Sequence, residues 1–293
     1  MLGATLSEAL RQEGFLVQEF NRRGRSRWPK HSANKFVVDD KTSIEDLIVL
    51  SDCDVVVNAL GLIKQVMNED DADCQLQAHL VNSFFPLLLN EFTEKFKIPV
   101  IQIGTDCVFS GAEGNYSESS AQSYTDLYSF TKSVGEQLSP NTCLLRTSVI
   151  GCEREGHFSL LSWVLGQERN AQVLGFKDHL WNGLTSLHFA KITIGVIRSQ
   201  NYSSGVRHVL PLNVVTKETL VKTIAENFGR NDIEVLSHHS GKPIDRSLIT
   251  EDFEANLRFW VDAGYDNPLT IEEMVSEYAL WESKAISIIN SDR

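Results

Sequence analysis

Two nearly continuous apolar runs, DVVVNAL (54–60) and PVIQIGT (99–105), constrain this chain more than any other feature. A strand that faces water on one side alternates apolar and polar residues, whereas an unbroken apolar run is buried on both faces, as strands of a parallel sheet are. Between the two runs, Leu76, Leu80, Phe84, Leu87 and Leu88 recur at helical spacing within residues 73–96. FLVQEF (15–20), KFVV (35–38) and TCLLRTSVI (142–150) read as further strands, each followed by polar or helical sequence. This rhythm predicts an α/β fold built on a doubly wound parallel sheet with helices on both faces.

After Gly151 the rhythm loosens. Helical patterns at 184–199 and 217–229 bracket a short strand-like GVRHVL (205–210), NDIEVL (231–236) adds another strand, and 270–289 closes the chain as a helix. We therefore expect a nucleotide-binding domain over 1–150 and a smaller α+β substrate-binding region over 151–293, interleaved with the first. A doubly wound sheet ordinarily begins with a strand that runs into a glycine-rich turn and a helix. Here MLGATLSEALRQEGF is already at helical spacing, with Gly14 as its C-cap, so the expected sheet lacks its first strand in this chain.

Lys plus Arg number 27 and Asp plus Glu 39, a formal charge of −12, which disfavours a general nucleic-acid or anionic-membrane surface. Five cysteines, Cys53, Cys74, Cys107, Cys143 and Cys152, form no C-x-x-C pair; Cys107 and Cys143 lie in apolar, strand-like runs, and the set reads as buried reduced thiols. No signal-like opening and no apolar run of about 20 residues is present, which predicts a cytoplasmic protein. His238 and His239 lack acidic or cysteine partners at ligand spacing, so no metal site is expected.

The stretch YSFTKSVGE places Tyr128 four residues before Lys132, on one helical face. Alone, such a pair also fits an ordinary amphipathic helix. Upstream, GTDCVFSG (104–111) sets Thr105 and Asp106 at the end of a buried strand, where open α/β sheets bind their ligands.

Taken together, LG (2–3), VNALG (57–61), VN (81–82), TDCVFSG (105–111), YSFTKSVGEQ (128–137) and LRTSVIG (145–151) resemble the extended short-chain dehydrogenase/reductase superfamily, and within it the dTDP-4-dehydrorhamnose reductase-like sugar-nucleotide branch. The resemblance implies a Rossmann-like domain and NAD(P)H-dependent reduction of a 4-keto group on a nucleotide-activated 6-deoxyhexose. It implies that Tyr128 is the acid, that Lys132 lowers its pKa from about 10 and holds the nicotinamide ribose, and that Thr105 bonds the substrate oxygen. Cofactor contacts are implied at Leu2, Gly3, Asn58, Ala59, Leu60 and Asn82. Asp39 is expected at the adenine, or else as an N-cap or turn residue. Asn21, Arg22 and Arg23, with no carboxylate at that strand end, favour NADPH over NADH. Asp106, Ser148, Val149, Trp181, Asn182 and Arg246 are the implied substrate contacts; Trp181 reads equally as a loop anchor and Arg246 as a surface ion pair. The implied partner is a nucleotide-sugar substrate, with assembly as a homodimer and neither nucleic acid nor membrane.

The departure from the family lies at the N-terminus. Of the G-x-x-G-x-x-G fingerprint only Gly3, matching the third glycine, is present. The simplest expectation is that Met1 is an internal methionine of the glycine-rich turn and that the natural start lies about ten residues earlier. Two other readings keep the same residues: a sugar-nucleotide epimerase or dehydratase, and a regulatory subunit that retains the fold without using the reductase site.

Overall fold

A computed structural model describes residues 1–25, 31–50, 52–137, 139–153, 157–202 and 204–291. Residues 26–30 of the basic run at 21–30 lie outside this set.

Helix α1 (Leu2–Gln12) is followed by Gly14 at φ 85°, a left-handed position that reverses the chain. Strands β1 (Phe20–Asn21) and β2 (Asn34–Lys35) pair in parallel. Next come β3 (Val56–Asn58), α2 (Ala72–His79), α3 (Phe85–Phe96), β4 (Val100–Ile103), α4 (Leu127–Val134), β5 (Thr142–Arg146) and β6 (Val149–Ile150). The second half comprises α5 (Leu160–Leu165), β7 (Gln172–Phe176), β8 (His179–Trp181), β9 (Leu184–Thr185), α6 (Ser186–Ser199) and β10 (Gly205–His208), then β11 (Val215–Thr216), α7 (Lys217–Asn227), β12 (Glu234–His238), β13 (Ile244–Asp245), α8 (Phe253–Asp262) and α9 (Ile271–Ser291). The central sheet is parallel, in the order β10-β5-β4-β3, so residues from the second half close one edge of the sheet begun in the first.

The expected strands at 15–20 and 35–38 shrink to two paired residues each. Among the described residues β1 pairs with β2 alone and β3 pairs with β4 alone, and between the two sheets lies a cavity of about 940 Å³ lined in part by Leu6, Leu10, Val17, Val55, Val57 and Leu89. A strand needs a ladder partner to satisfy its backbone. Lacking one on the cavity side, residues 15–19 stay irregular, and Leu16 is fully exposed.

The helical segment between β3 and β4 also departs from expectation. A π turn over Leu80–Phe84 joins α2 to α3. Its i→i+5 closure advances the helical phase. Leu76 and Phe84 therefore face solvent, while Leu80, Phe85, Leu88, Leu89 and Phe92 pack under β3 with Val38 and Leu47. The main core joins Cys143 and Leu145 of β5 to Phe189, Trp260 and Tyr278, and α1 rests on α6 through Leu6, Ala9 and Leu10. All five cysteines are free thiols; Cys143 is buried, but Cys107 lies in the turn after β4 rather than in the strand.

Candidate active site

The site forms where β4 ends. Thr105 caps the single 3-10 turn Asp106–Val108, its Oγ1 accepting from the Cys107 amide at 3.2 Å. Across the loop, Asp126 caps α4 in a reciprocal box with Ser129 and is held by Lys64 at 2.7 Å. This cap sets Tyr128 in the first helical turn and Lys132 one turn on, facing β4. The Tyr128 phenol lies near the Thr105 hydroxyl, which itself donates to Asp106 Oδ1 at 3.4 Å. Lys132, 7% exposed, donates from Nζ to the carbonyl of Ile103 at 3.0 Å.

Burial sets the charge states here. It pushes the Tyr128 phenol well above its ordinary value, with Cys107 and Asp106 adding to the rise and the Thr105 hydroxyl opposing it. The expectation of a phenol lowered by Lys132 is thus corrected: without ligand the group is a fully protonated acid. Burial lowers Lys132, while Glu136 and Cys107 act to keep its proton. The Cys107 thiol is pushed up to about 12 by burial beside Asp106. Asp106 is itself raised by burial, against the opposing influence of Arg246, Lys217 and Ser148.

Lys217, at the start of α7, was not anticipated. Burial lowers it to about 8 despite Asp106, and its Nζ lies 5.4 Å from the Trp181 ring centre. Nothing in the sequence signals this proximity, because residues far apart along the chain meet only through the fold.

Other expected contacts are committed elsewhere. Asn182 donates to the Leu248 carbonyl at 2.7 Å and accepts from the Leu248 amide at 3.0 Å, a backbone clamp rather than a free sugar ligand. Trp181 is 4% exposed within the main core, the loop-anchor alternative, with its Nε1 unpartnered. Arg246 packs on Gly111 and donates from Nε to the Phe109 carbonyl at 2.9 Å, so it is no surface ion pair. Asp39 accepts from the Lys41 amide and the Thr42 hydroxyl, both through Oδ1, and so organises its turn. Asn21 likewise organises its turn, accepting from the amides of Arg23 and Arg25. Val149 in β6 pairs with Leu184. Asn58 bonds Gln102 and the Leu60 amide, and Asn82 clasps both backbone groups of Leu62 and reaches Thr131.

A dinucleotide fits the residues present. The N-terminus of α1 has no side-chain cap and no acidic residue in its first turn, and Gly3 lies against Ala59 at the end of β3. Helix N-termini of this kind favour phosphate. Leu60, Arg22 and Arg23 line the same cavity as Gly3 and Ala59. Among the described residues no group of three or more His, Cys, Asp or Glu side chains is arranged to hold a metal, and no helix is long and apolar enough to cross a membrane.

The sequence profile described as the RmlD substrate binding domain matches residues 1–248. The chain belongs to this family. Among solved structures, the RmlD-family chain is similar to a dTDP-4-dehydrorhamnose reductase from Clostridium acetobutylicum, with 17% identity over 96% of both chains and a TM-score of 0.67. It is similar to a dTDP-4-dehydrorhamnose reductase from Bacillus anthracis in complex with NADP, with 17% identity over 96% of this chain and 94% of that one and a TM-score of 0.71. MoeE5 in complex with UDP-glucose and NAD matches at 18% identity over 97% and 96%, also with a TM-score of 0.71. At such identities the likeness establishes the fold, a Rossmann-like α/β architecture. No curated protein gave a significant match.

Proposed function

We propose that this RmlD-family protein reduces the 4-keto group of a nucleotide-activated 6-deoxyhexose with NADPH. The observation that carries the reading is the convergence at the carboxyl end of β4 of the Thr105 hydroxyl, the Tyr128 phenol and, one turn along the same helix, Lys132, whose Nζ donates to the Ile103 carbonyl at the end of that strand. Two similar structures, one a dTDP-4-dehydrorhamnose reductase in complex with NADP and the other MoeE5 in complex with UDP-glucose and NAD, support the substrate and cofactor classes.

In this reading residues 1–150 hold the cofactor and 151–293 the sugar nucleotide. Gly3, Asn58, Ala59 and Leu60 border the dinucleotide, and Arg22 and Arg23 favour the 2′-phosphate of NADPH over NADH. When bound, the dihydronicotinamide supplies the hydride. The chain's own groups handle the charge that hydride addition leaves on the ketone oxygen. Thr105 Oγ1 donates a hydrogen bond to that oxygen, and Tyr128, protonated at neutral pH, delivers its proton to it. Lys132 then stabilises the phenolate until solvent restores the proton. Asp106, Lys217, Arg246 and Ser148 form the polar wall beside the sugar.

The test is NADPH oxidation in the presence of a dTDP-4-keto-6-deoxyhexose. Tyr128→Phe should lower turnover by about 10²–10⁴-fold while leaving cofactor affinity unchanged. Near-normal turnover by that variant would sink the assignment.

A further inference from the structure

Behind Lys132 lies a buried charge network that the reaction as described does not use. Glu136 follows Lys132 by four residues, in the turn just past α4, and its side chain is 4% exposed. Arg146, at the end of β5, grips it with two bonds, Nε to Oε1 at 3.3 Å and NH2 to Oε2 at 2.5 Å. Gln122 donates to Oε2 at 2.6 Å. The remaining Arg146 nitrogen, NH1, lies 2.9 Å from His208 Nε2 on β10. His208 Nδ1 is 2.6 Å from the Ile249 carbonyl, so Nδ1 carries the proton and Nε2 accepts from Arg146. The guanidinium also covers the Phe109 ring at 5.2 Å, directly behind the turn that bears Thr105.

Buried ion pairs are poor stabilisers, since desolvating both charges offsets most of their attraction. This one ties the end of the helix that carries Tyr128 and Lys132 to β5 and β10, and it fixes a carboxylate four residues on from a buried ammonium. We propose that Glu136, clamped by Arg146, His208 and Gln122, is a positioning residue that keeps Lys132 charged and aimed at the site. The proposal rests on the role given to Lys132 above. The groups whose charge acts on Lys132 are Glu136, just past its own helix, and Cys107 on the turn after β4. Of these, Glu136, paired with Arg146, supplies the negative charge, because burial holds Cys107 in its neutral form.

The experiment follows the pH titration of Lys132 itself, by NMR of 13Cε-lysine protein with the resonance assigned through Lys132→Arg, so its outcome does not depend on turnover. Glu136→Gln combined with Arg146→Met removes both charges at similar volume and leaves no buried charge unpaired. In this variant, shown to be folded by a cooperative unfolding transition, Lys132 should titrate about one pH unit lower than in the parent. Glu136→Asp, which keeps the charge but withdraws it by one methylene, should fall between the two and serves alone if the double variant does not fold. The alkaline limb of kcat should move with the titration while the substrate KM holds. An unmoved Lys132 titration in the folded variants would overturn the proposal. A shifted titration in a protein that reduces no sugar nucleotide would overturn the reductase reading and leave this inference standing.

Discussion

The imidazole of His208 is 1% exposed at the end of β10, and burial, with Arg146 beside it, lowers its pKa from 6.5 to about 4. Burial acts the same way on Tyr128, Lys132 and Cys107, disfavouring whichever form carries charge. A sequence gives the chemical type of such residues but not their solvation. Tyr128, Lys132 and Thr105 were therefore legible as a set, while the direction of the Tyr128 shift was not. The His208 shift has a measurable consequence. Between pH 6.5 and about 4 the unfolded chain binds a proton there that the folded one refuses, so stability falls as pH drops through this window and is untouched above it. The full effect is about 3 kcal/mol. His208→Gln can keep both hydrogen bonds without titrating, so in urea unfolding it should lose less stability than the parent between about pH 7 and about pH 4. Equal losses would show that His208 does not control the acid limb.

At the scale of elements, the spacing of apolar residues identified the helices at the N-terminus, within 73–96 and at 184–199, 217–229 and 270–289, but not α5 or α8, and it missed one phase change. The π turn at Leu80–Phe84 has no composition of its own, yet it exchanges Phe84 for Phe85 on the buried face and aims Asn82 at Leu62 and Thr131. Here the packing demand of two elements overrides the ideal helical period. α4 meets the same turn from the other side. Gly135, just past α4, approaches so closely that a Cβ would collide with the Asn82 carbonyl oxygen and crowd Pro86 Cγ at 3.3 Å. The sequence showed this glycine only as part of YSFTKSVGE; its need for close approach comes from the tertiary fold. Gly135→Ala should therefore push α4 off the π turn and cost about 1–3 kcal/mol in urea unfolding, with turnover falling as Lys132 moves. A variant as stable as the parent would mean that the contact yields without strain.

Over the whole molecule, the parallel sheet was legible because strands buried on both faces leave unbroken apolar runs, and the return of Gly205–His208 into that sheet was not, because strand order leaves no local trace. The sheet's division also has a mechanical consequence. The four-stranded piece carries Thr105 and Arg146 at its ends and is anchored in the main core through Ile101, Cys143 and Leu145. The two-stranded piece is separated from it by the cavity of about 940 Å³ and is held to the rest of the fold by contacts such as Phe36 against Phe85, ring centres 5.7 Å apart, and Arg11 with Glu19 at 3.5 Å. An isolated two-stranded sheet is marginal in water. Its amides, such as Asn34 bonded to Glu19 and Phe36 bonded to Asn21, should exchange through local opening, whereas Val100 bonded to Asn141 and Gly104 bonded to Leu145 should require global unfolding. Native-state hydrogen exchange should show about a hundredfold lower protection in the first pair than in the second. Dinucleotide binding along Gly3, Ala59 and Arg22 spans both sides of the cavity, so NADPH should raise protection of Asn34 and Phe36 by closing their local opening and, by stabilising the folded state against global unfolding, should raise that of Val100 as well. Equal protection of the two pieces without ligand would mean that the break in the sheet is not a break in its cooperativity.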